Sequence, residues 1–152
     1  MKKFTIILYT VILQLTISSG IGFSQSNSES SNINVEGVWR MDMTKTIKNL
    51  NSDDKIKVGE MSESVKADFE NSVQSRVYHF NTNKSFLATW DFKGKAHSVS
   101  GKWEILGDDS LLIILPNEEK KYFIKIEDES LELIPHTPSE GMFHKLFFTK
   151  SN

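Results

Sequence analysis

The sequence predicts an all-β fold: an eight-stranded antiparallel up-and-down barrel with one amphipathic helix between the first two strands. Short runs alternate between apolar and polar residues, and turn residues separate these runs at hairpin-like spacing. Closing such a meander into a barrel removes its exposed edges. Two three-residue motifs, here called cassettes, place a glycine two residues before a tryptophan on a predicted strand: Gly37-Val38-Trp39 and Gly101-Lys102-Trp103. Glycine permits close approach of a backbone or ring, and tryptophan is a large apolar plug, so we expect both cassettes to close the barrel.

The first strand is predicted from Trp39, Met41 and Met43, which alternate with polar residues. Seven more strands follow, and Lys93-Gly94 forms a tight hairpin connection between two of them. We expect these seven strands near residues 76–81, 86–92, 96–106, 111–115, 122–126, 131–133 and 142–149.

The predicted helix lies between the first and second strands. Met61, Val65, Phe69 and Val73 recur every four residues with charged residues between them, which gives one apolar stripe. The helix is either a plug packed over one barrel mouth or a lid that moves when a ligand enters, and the stripe is compatible with both.

The N-terminus has the order of a secretory signal. Met1-Lys2-Lys3 is followed by a mostly apolar stretch over 4–17 and by the small-residue pattern Gly22-Phe23-Ser24. The apolar run is short for a membrane span of roughly 20 residues, so cleavage after Ser24 is favoured over an uncleaved anchor. We therefore expect a signal peptide over 1–24, a flexible polar leader over 25–34 and the barrel domain over 35–150. The mature protein would be periplasmic or secreted, with no stable membrane anchor.

Composition and net charge limit the classes of partner and of stabilising bond that we expect. The chain has 18 basic and 20 acidic residues, and loss of Lys2 and Lys3 with the signal leaves a mature net charge of −4. A mildly acidic surface gives little electrostatic reason to expect nucleic-acid binding. The sequence contains no cysteine, so disulfides, thiolate metal sites and a lipid-modified cysteine are not expected. Stability then has to come from one apolar core.

The first-strand Gly37-Val38-Trp39, the helical insertion and the second glycine-x-tryptophan on the fourth strand resemble the small lipocalin-like proteins of the bacterial cell envelope. The resemblance covers about residues 35–150 and implies an eight-stranded up-and-down barrel of the calycin group. Lipocalins proper usually place an arginine near the final strand, over the first-strand tryptophan. The arginines of this chain are Arg40 and Arg76, so Lys145 or Lys150 would have to take that place.

The barrel interior allows two interpretations. If Trp39 points inward, alternation directs a further set of large side chains inward with it: Met41, Met43, Tyr78, Phe80, Phe86, Trp90, Trp103, Tyr122 and Ile124. These residues either line a pocket for a small hydrophobic ligand or fill the barrel completely. The filled interpretation is favoured because aromatic stripes more often form core than binding sites. Met43, Tyr78, Trp90 and Tyr122 are the candidate ligand contacts.

Motifs for catalysis or metal binding are weak. The four histidines are far apart in sequence and lack metal-ligand spacing: His79, His97, His136 and His144. Asp108-Asp109 and Glu127-Asp128-Glu129 fall at predicted turns and lack the alternating ligands of a calcium loop. The sequence has no nucleophile elbow and no glycine-rich loop before a helix. We therefore expect no cofactor, no metal and no enzymatic activity.

Three classes of function follow from these observations. The first is an exported protein that binds a small apolar or amphiphilic ligand in the barrel. The second is an envelope interaction or inhibitor module with a filled barrel, which would contact a protein partner through outward-facing Val77, Leu87, Leu112, Ile114 and Phe123. The third, ranked last, is an enzyme with His79, Asp91 and Lys45 at the open barrel end.

Overall fold

A computed structural model describes residues 33–107, 109–137 and 142–151. These residues form a closed barrel of eight strands in chain order, and every neighbouring pair is antiparallel. The predicted barrel with a helical insertion after its first strand is therefore confirmed. The predicted signal peptide, most of the leader (25–32) and Asp108 lie outside the described residues.

The strands have the following bounds: β1 (Gly37–Met41), β2 (Val77–Phe80), β3 (Ser85–Phe92), β4 (Lys95–Leu106), β5 (Ser110–Ile114), β6 (Glu119–Glu127), β7 (Ser130–Pro135) and β8 (Leu146–Ser151). Between β1 and β2 lie α1 (Met43–Lys48), α2 (Ser52–Glu60) and α3 (Glu63–Gln74). Pairing of β1 with β8 closes the barrel, with Trp39 opposite Lys150.

The first strand is shorter than the sequence predicts. β1 ends at Met41, and Met43 begins α1 instead of continuing the strand. The Asp42 carboxylate accepts a hydrogen bond from the Lys45 amide at 2.9 Å. Aspartate is a favoured N-cap because it satisfies one of the free amides of the first helical turn. Asp42 matches the polar position of an alternating strand equally well, and its capping role overrides that pattern here.

The sequence also missed α2, which begins after another cap. The Asn51 side-chain oxygen accepts from the Asp54 amide at 2.7 Å. Its buried residues, Asp54 and Val58, are four apart and only one is apolar, so α2 has no apolar stripe of the kind that predicted α3.

The predicted amphipathic helix is confirmed as α3, which packs mainly against β3. Met61, the first residue of the predicted stripe, lies before it and caps the end of α2. Val73 is buried in the core, and the half-buried Phe69 ring stacks on Phe143 with centroids 6.0 Å apart. Val65, one turn earlier, is 49% exposed. Only the C-terminal half of the predicted stripe is therefore covered by the barrel. No helix in the described part of the chain is long and apolar enough to cross a membrane.

The two ends of the barrel differ. The end that carries the β2–β3, β4–β5 and β6–β7 turns is called the tryptophan end, because the two cassettes lie near it. The opposite end, called the open end, carries the three helices, the β3–β4 and β5–β6 turns and the segment before β8. The side chains that fill the interior include Trp39, Phe80, Trp103, Leu111, Leu131, Leu133 and Phe148, all of them nearly inaccessible to solvent.

Candidate functional site

The two cassette tryptophans are buried and tied to the tryptophan end by their indole nitrogens. The Trp39 indole N–H donates to the Val35 carbonyl oxygen at 2.7 Å, and that of Trp103 donates to the Asn81 carbonyl oxygen at 3.0 Å. Both residues are at most 2% exposed. A buried indole N–H needs such a partner, so these bonds fix each ring in one orientation.

A lysine lies over each of these rings. The Lys150 Nζ is 5.5 Å from the centroid of Trp39, and the Lys84 Nζ is 3.8 Å from that of Trp103. Both distances are within the range of a cation–π interaction. Lys150 on the final strand thus occupies the place where the sequence resemblance leads one to expect an arginine. Lys145 instead pairs with Glu132 at 2.8 Å.

The glycines of the cassettes permit close approach by different neighbours. Gly37 has a φ of +129°, and a Cβ there would lie 3.1 Å from the Lys150 Cε. At Gly101 a Cβ would lie 2.1 Å from the carbonyl oxygen of Ile114. Gly37 therefore makes room for the lysine stem that reaches Trp39, and Gly101 makes room for the backbone of β5.

The open end contains a cavity of about 240 Å³. Its walls from β2 and β3 are Tyr78, Phe86, Ala88 and Trp90, and its walls from β4 to β6 are Val99, Ile113, Leu115 and Tyr122. Arg76, Glu118 and Lys120 complete the lining. The site is thus an apolar hollow with a few polar groups, the usual composition of a small-molecule pocket.

Three of the four predicted ligand contacts line this cavity: Tyr78, Trp90 and Tyr122. Met43 does not line it; it lies in the first turn of α1 and packs on the edge of the core. The cause is the Asp42 cap, which ends β1 before the inward alternation reaches Met43.

Aromatic contacts hold the cavity walls in place. The Tyr78 ring meets Phe86 edge-on with centroids 5.2 Å apart, and it also packs against Phe148 at 4.6 Å. Trp90 stacks on His97 at 5.6 Å with an interplanar angle of 12°. Such pairs favour specific ring geometries, so the walls are largely preformed.

The polar groups of the cavity differ in how they are paired. The Glu118 carboxylate forms an ion pair with the Lys120 ammonium at 3.2 Å. Burial raises the pKa of the Tyr122 hydroxyl well above its usual value, and the neighbouring Tyr78 and Glu118 raise it further, while Arg76 opposes the shift. The Tyr122 hydroxyl is therefore protonated at neutral pH and able to donate a hydrogen bond.

The sequence pattern did not predict Arg76, Glu118 or Lys120 as site residues. Arg76 immediately precedes β2, and Glu118 lies in the β5–β6 turn. Only barrel closure brings these two positions together at one rim. Arg76 stands two residues before the inward-facing Tyr78, so alternation directs it inward as well. A charged residue at an inward position of the open end is the signal that would have identified it.

A second hollow of about 150 Å³ lies between α1 and strands β6 to β8. Lys45, Lys125 and Glu127 contribute to it, and the latter two form an ion pair at 2.7 Å. Of the other two residues in the enzyme hypothesis, His79 lies on the outer face of β2 and the Asp91 amide donates to the Ser75 hydroxyl. Within the described residues, no hydrogen bond or ion pair joins Lys45, His79 and Asp91 to one another.

Asp54 is the centre of a separate charged cluster that joins α2 to the segment before β8. It is 3% exposed, and its two oxygens lie 2.8 Å from the Lys57 Nζ and 3.2 Å from the His144 Nε2. The Asn51 side-chain amide also contacts His144. The hydrogen bond from Lys57 holds the Asp54 pKa below its ordinary value, and in return Asp54 raises the pKa of Lys57. Among the described residues, no group of three or more acidic or histidine side chains is arranged to hold a metal ion.

The outward-facing apolar side chains alternate with charged ones. Leu112 lies opposite Glu104 and Lys121, and Ile114 lies opposite Lys102 and Glu119. Val77, Leu87, Leu112 and Ile114 are half-buried, whereas Phe123 is 43% exposed and stacks on His136. Around Leu112 and Ile114, therefore, charged neighbours interrupt the apolar surface.

The comparisons with known proteins assign no family to this chain. No family model matches the sequence, and no curated protein matches it. A crystal structure of a DUF4847 family protein from Bacteroides vulgatus is similar to the chain, with 15% sequence identity and a TM-score of 0.44. The match covers 77% of this chain and 95% of that one. What is established is a closed antiparallel barrel of eight strands, with a structural neighbour known only as a domain of unknown function.

Proposed function

We propose that this protein is exported and that its barrel binds a small apolar or amphiphilic molecule in the cavity at the open end. The observation that supports the proposal most directly is the cavity itself: about 240 Å³, with rigid aromatic walls and polar groups among its lining residues. Small-molecule sites are typically concave and apolar with a few placed polar groups.

The two ends of the barrel interior differ, and the difference supports a ligand site at the open end. At the tryptophan end, Trp39, Phe80 and Trp103 are buried, Phe80 meets Trp103 edge-on, and their packing is structural. At the open end the cavity of about 240 Å³ is not filled by side chains and is accessible to water or to a ligand.

The size of the cavity limits the ligand. A cavity of roughly 150 Å³ accommodates benzene, so 240 Å³ has room for about ten non-hydrogen atoms. A single aromatic ring with a short substituent, or an alkyl chain of about eight carbons with a polar head, meets this limit.

Trp90 provides the readout because it lines the cavity, whereas Trp39 and Trp103 are buried at the other end. Titration with octanol, octanamide and octanoate is expected to change tryptophan fluorescence saturably. Trp90→Phe should remove most of the signal, while calorimetry still detects binding.

A cavity-filling substitution tests where the ligand binds. Ala88→Leu projects extra methyl groups into the cavity and is expected to weaken binding at least tenfold. Ala96→Leu is the matched control, because Ala96 is an exposed residue of β4 that does not line the cavity. Absence of binding across the panel, or equal binding by the Ala88→Leu and control proteins, would refute the proposal.

Export is the second part of the proposal, and it is supported by the N-terminal order of charge, apolar run and small residues. Expression in a bacterium should yield a processed protein that begins at Gln25 and is recovered outside the cytoplasm. N-terminal sequencing that finds the intact Met1 start in a cytoplasmic fraction would contradict it.

A further inference from the structure

Arg76 is a cavity residue whose charge is not paired with a carboxylate in the part of the chain that the structure describes. Glu118 and Lys120, the other charged lining residues, form an ion pair with each other. Within the described residues, no carboxylate lies within ion-pair distance of Arg76. The cavity lining as a whole therefore carries a single uncompensated positive charge.

The hydrogen-bonding capacity of Arg76 is also largely unused. A guanidinium carries five N–H donors in a planar fork. One of its terminal nitrogens contacts the Ser72 hydroxyl at 3.5 Å, the outer limit of a hydrogen bond, and its Nε is buried without a partner. An unsatisfied buried donor is costly. Arg76 lines the cavity, and within the described residues its other N–H groups have no acceptor closer than the Ser72 hydroxyl, so they are available to an acceptor on a ligand.

The surroundings of Arg76 orient its fork. The guanidinium carbon lies 5.3 Å from the centroid of Trp90, within cation–π range. Trp90 is itself stacked on His97, so the arginine rests on a ring that is already fixed. Tyr78 and Tyr122 line the same cavity, and neither hydroxyl bonds to another described residue. The cavity thus presents a cation and two hydroxyls around an apolar interior.

We propose that the ligand is a small amphiphilic monocarboxylate, with its carboxylate on the Arg76 guanidinium and its apolar body against Trp90, Tyr78 and Tyr122. The inference rests on the proposed function, since it names the chemical class of the molecule held in the same cavity. Carboxylates match the guanidinium fork with two parallel hydrogen bonds, which neutral or cationic head groups cannot reproduce.

Octanoate and octanamide are the test pair, because they have the same size and differ in head-group charge. Calorimetric titration of the protein is expected to give at least tenfold tighter binding of octanoate than of octanamide, with octylamine weaker than both. This comparison uses the unaltered protein and does not depend on any variant folding.

Arg76→Met then assigns the preference to one residue. The variant retains an unbranched side chain over Trp90 and loses the charge, and it is expected to bind octanoate about 10- to 100-fold more weakly. Its affinity for octanamide should change less than threefold. Arg76→Lys should retain part of the preference. Arg40→Met, at the only other arginine of the chain and on the exposed side of β1, should leave it unchanged.

The possible outcomes separate this inference from the proposed function. Equal binding of octanoate and octanamide overturns the carboxylate assignment and leaves a cavity that binds neutral amphiphiles. Equal loss of both ligands in Arg76→Met assigns Arg76 a structural role and overturns the inference as well. Failure of all three compounds to bind contradicts the proposed function itself.

Discussion

The close approach of β5 to Gly101 allows a quantitative test of how the barrel is assembled. In Gly101→Ala, the new Cβ would lie 2.1 Å from the Ile114 carbonyl oxygen and 3.1 Å from Leu115 Cδ2. Cβ atoms essentially never lie within 3.0 Å of another heavy atom that is not bonded to them, so β4 and β5 must separate by about 1 Å. The nearer obstacle is backbone, which cannot rotate away as the end of a side chain could.

The expected cost combines strain and lost pairing. Overpacking of a tight site costs about 1–3 kcal/mol, and one weakened ladder hydrogen bond beside the Lys102–Ile114 pair adds about 1 kcal/mol. The free energy of unfolding should fall by about 2–4 kcal/mol. With an unfolding entropy of about 2.1 cal/mol/K per residue over roughly 115 residues, Tm should fall by about 8–16 °C.

Urea unfolding followed by circular dichroism measures this change, and Gly59→Ala is the control. Gly59 lies in α2, is exposed and has nothing within 4 Å of its Cβ position. Alanine is the better helix former, so this variant should be more stable by about 0.5–1 kcal/mol. The two substitutions are chemically identical and are expected to act in opposite directions. A Gly101→Ala protein within about 0.5 kcal/mol of the parent would refute the backbone-approach argument.

Three further predictions concern other parts of the fold. Asp54→Asn should destabilise the protein at pH 7. Because pairing lowers the Asp54 pKa below 3.8, the carboxylate contributes stability above that pH. In urea titrations at several pH values, the difference in stability from the parent should therefore shrink as the pH falls through and below 3.8. Lys150→Met should remove the cation over Trp39 and cost about 0.5–1 kcal/mol, whereas Lys150→Arg should retain it; equal stability of the two in thermal unfolding would exclude a cation–π contribution. Val73→Ala in the core should cost about 2 kcal/mol, and Val65→Ala on the exposed turn should cost less than 0.5 kcal/mol. If chemical unfolding showed Val65→Ala to be the more destabilising change, the N-terminal half of α3 would be the buried part.

The sequence predicted most strands well because their signal is local, but β8 begins at Leu146 and not at the predicted Met142. Alternation over β2 and β3 placed Tyr78, Phe86 and Trp90 on the inner face, and the structure agrees. Where two local signals compete at one residue, the prediction was wrong. Asp42 satisfies both a strand alternation and a helix cap, and the cap prevails because it satisfies backbone amides at the start of α1. As a result, Met43 lies in the first turn of α1 and does not line the cavity.

Burial along α3 shows the same limit in another form. The four-residue spacing of Val65, Phe69 and Val73 predicts a helix and the face it presents. It does not specify how far along the helix the barrel extends. Packing against β3 buries Val73 and leaves Val65 exposed.

The sequence by itself determined the fold class, the positions of most strands and the tryptophans of one barrel end, since each depends on residues close together in the chain. Only the tertiary structure decided what the glycines permit, which lysine covers Trp39 and whether the interior is full. Gly37 and Gly101 make room for Lys150 and for the backbone of β5, both distant in sequence. The cavity and its arginine likewise arise where β2 to β6 converge, because a volume left unfilled between strands is a property of their closure and not of any one strand.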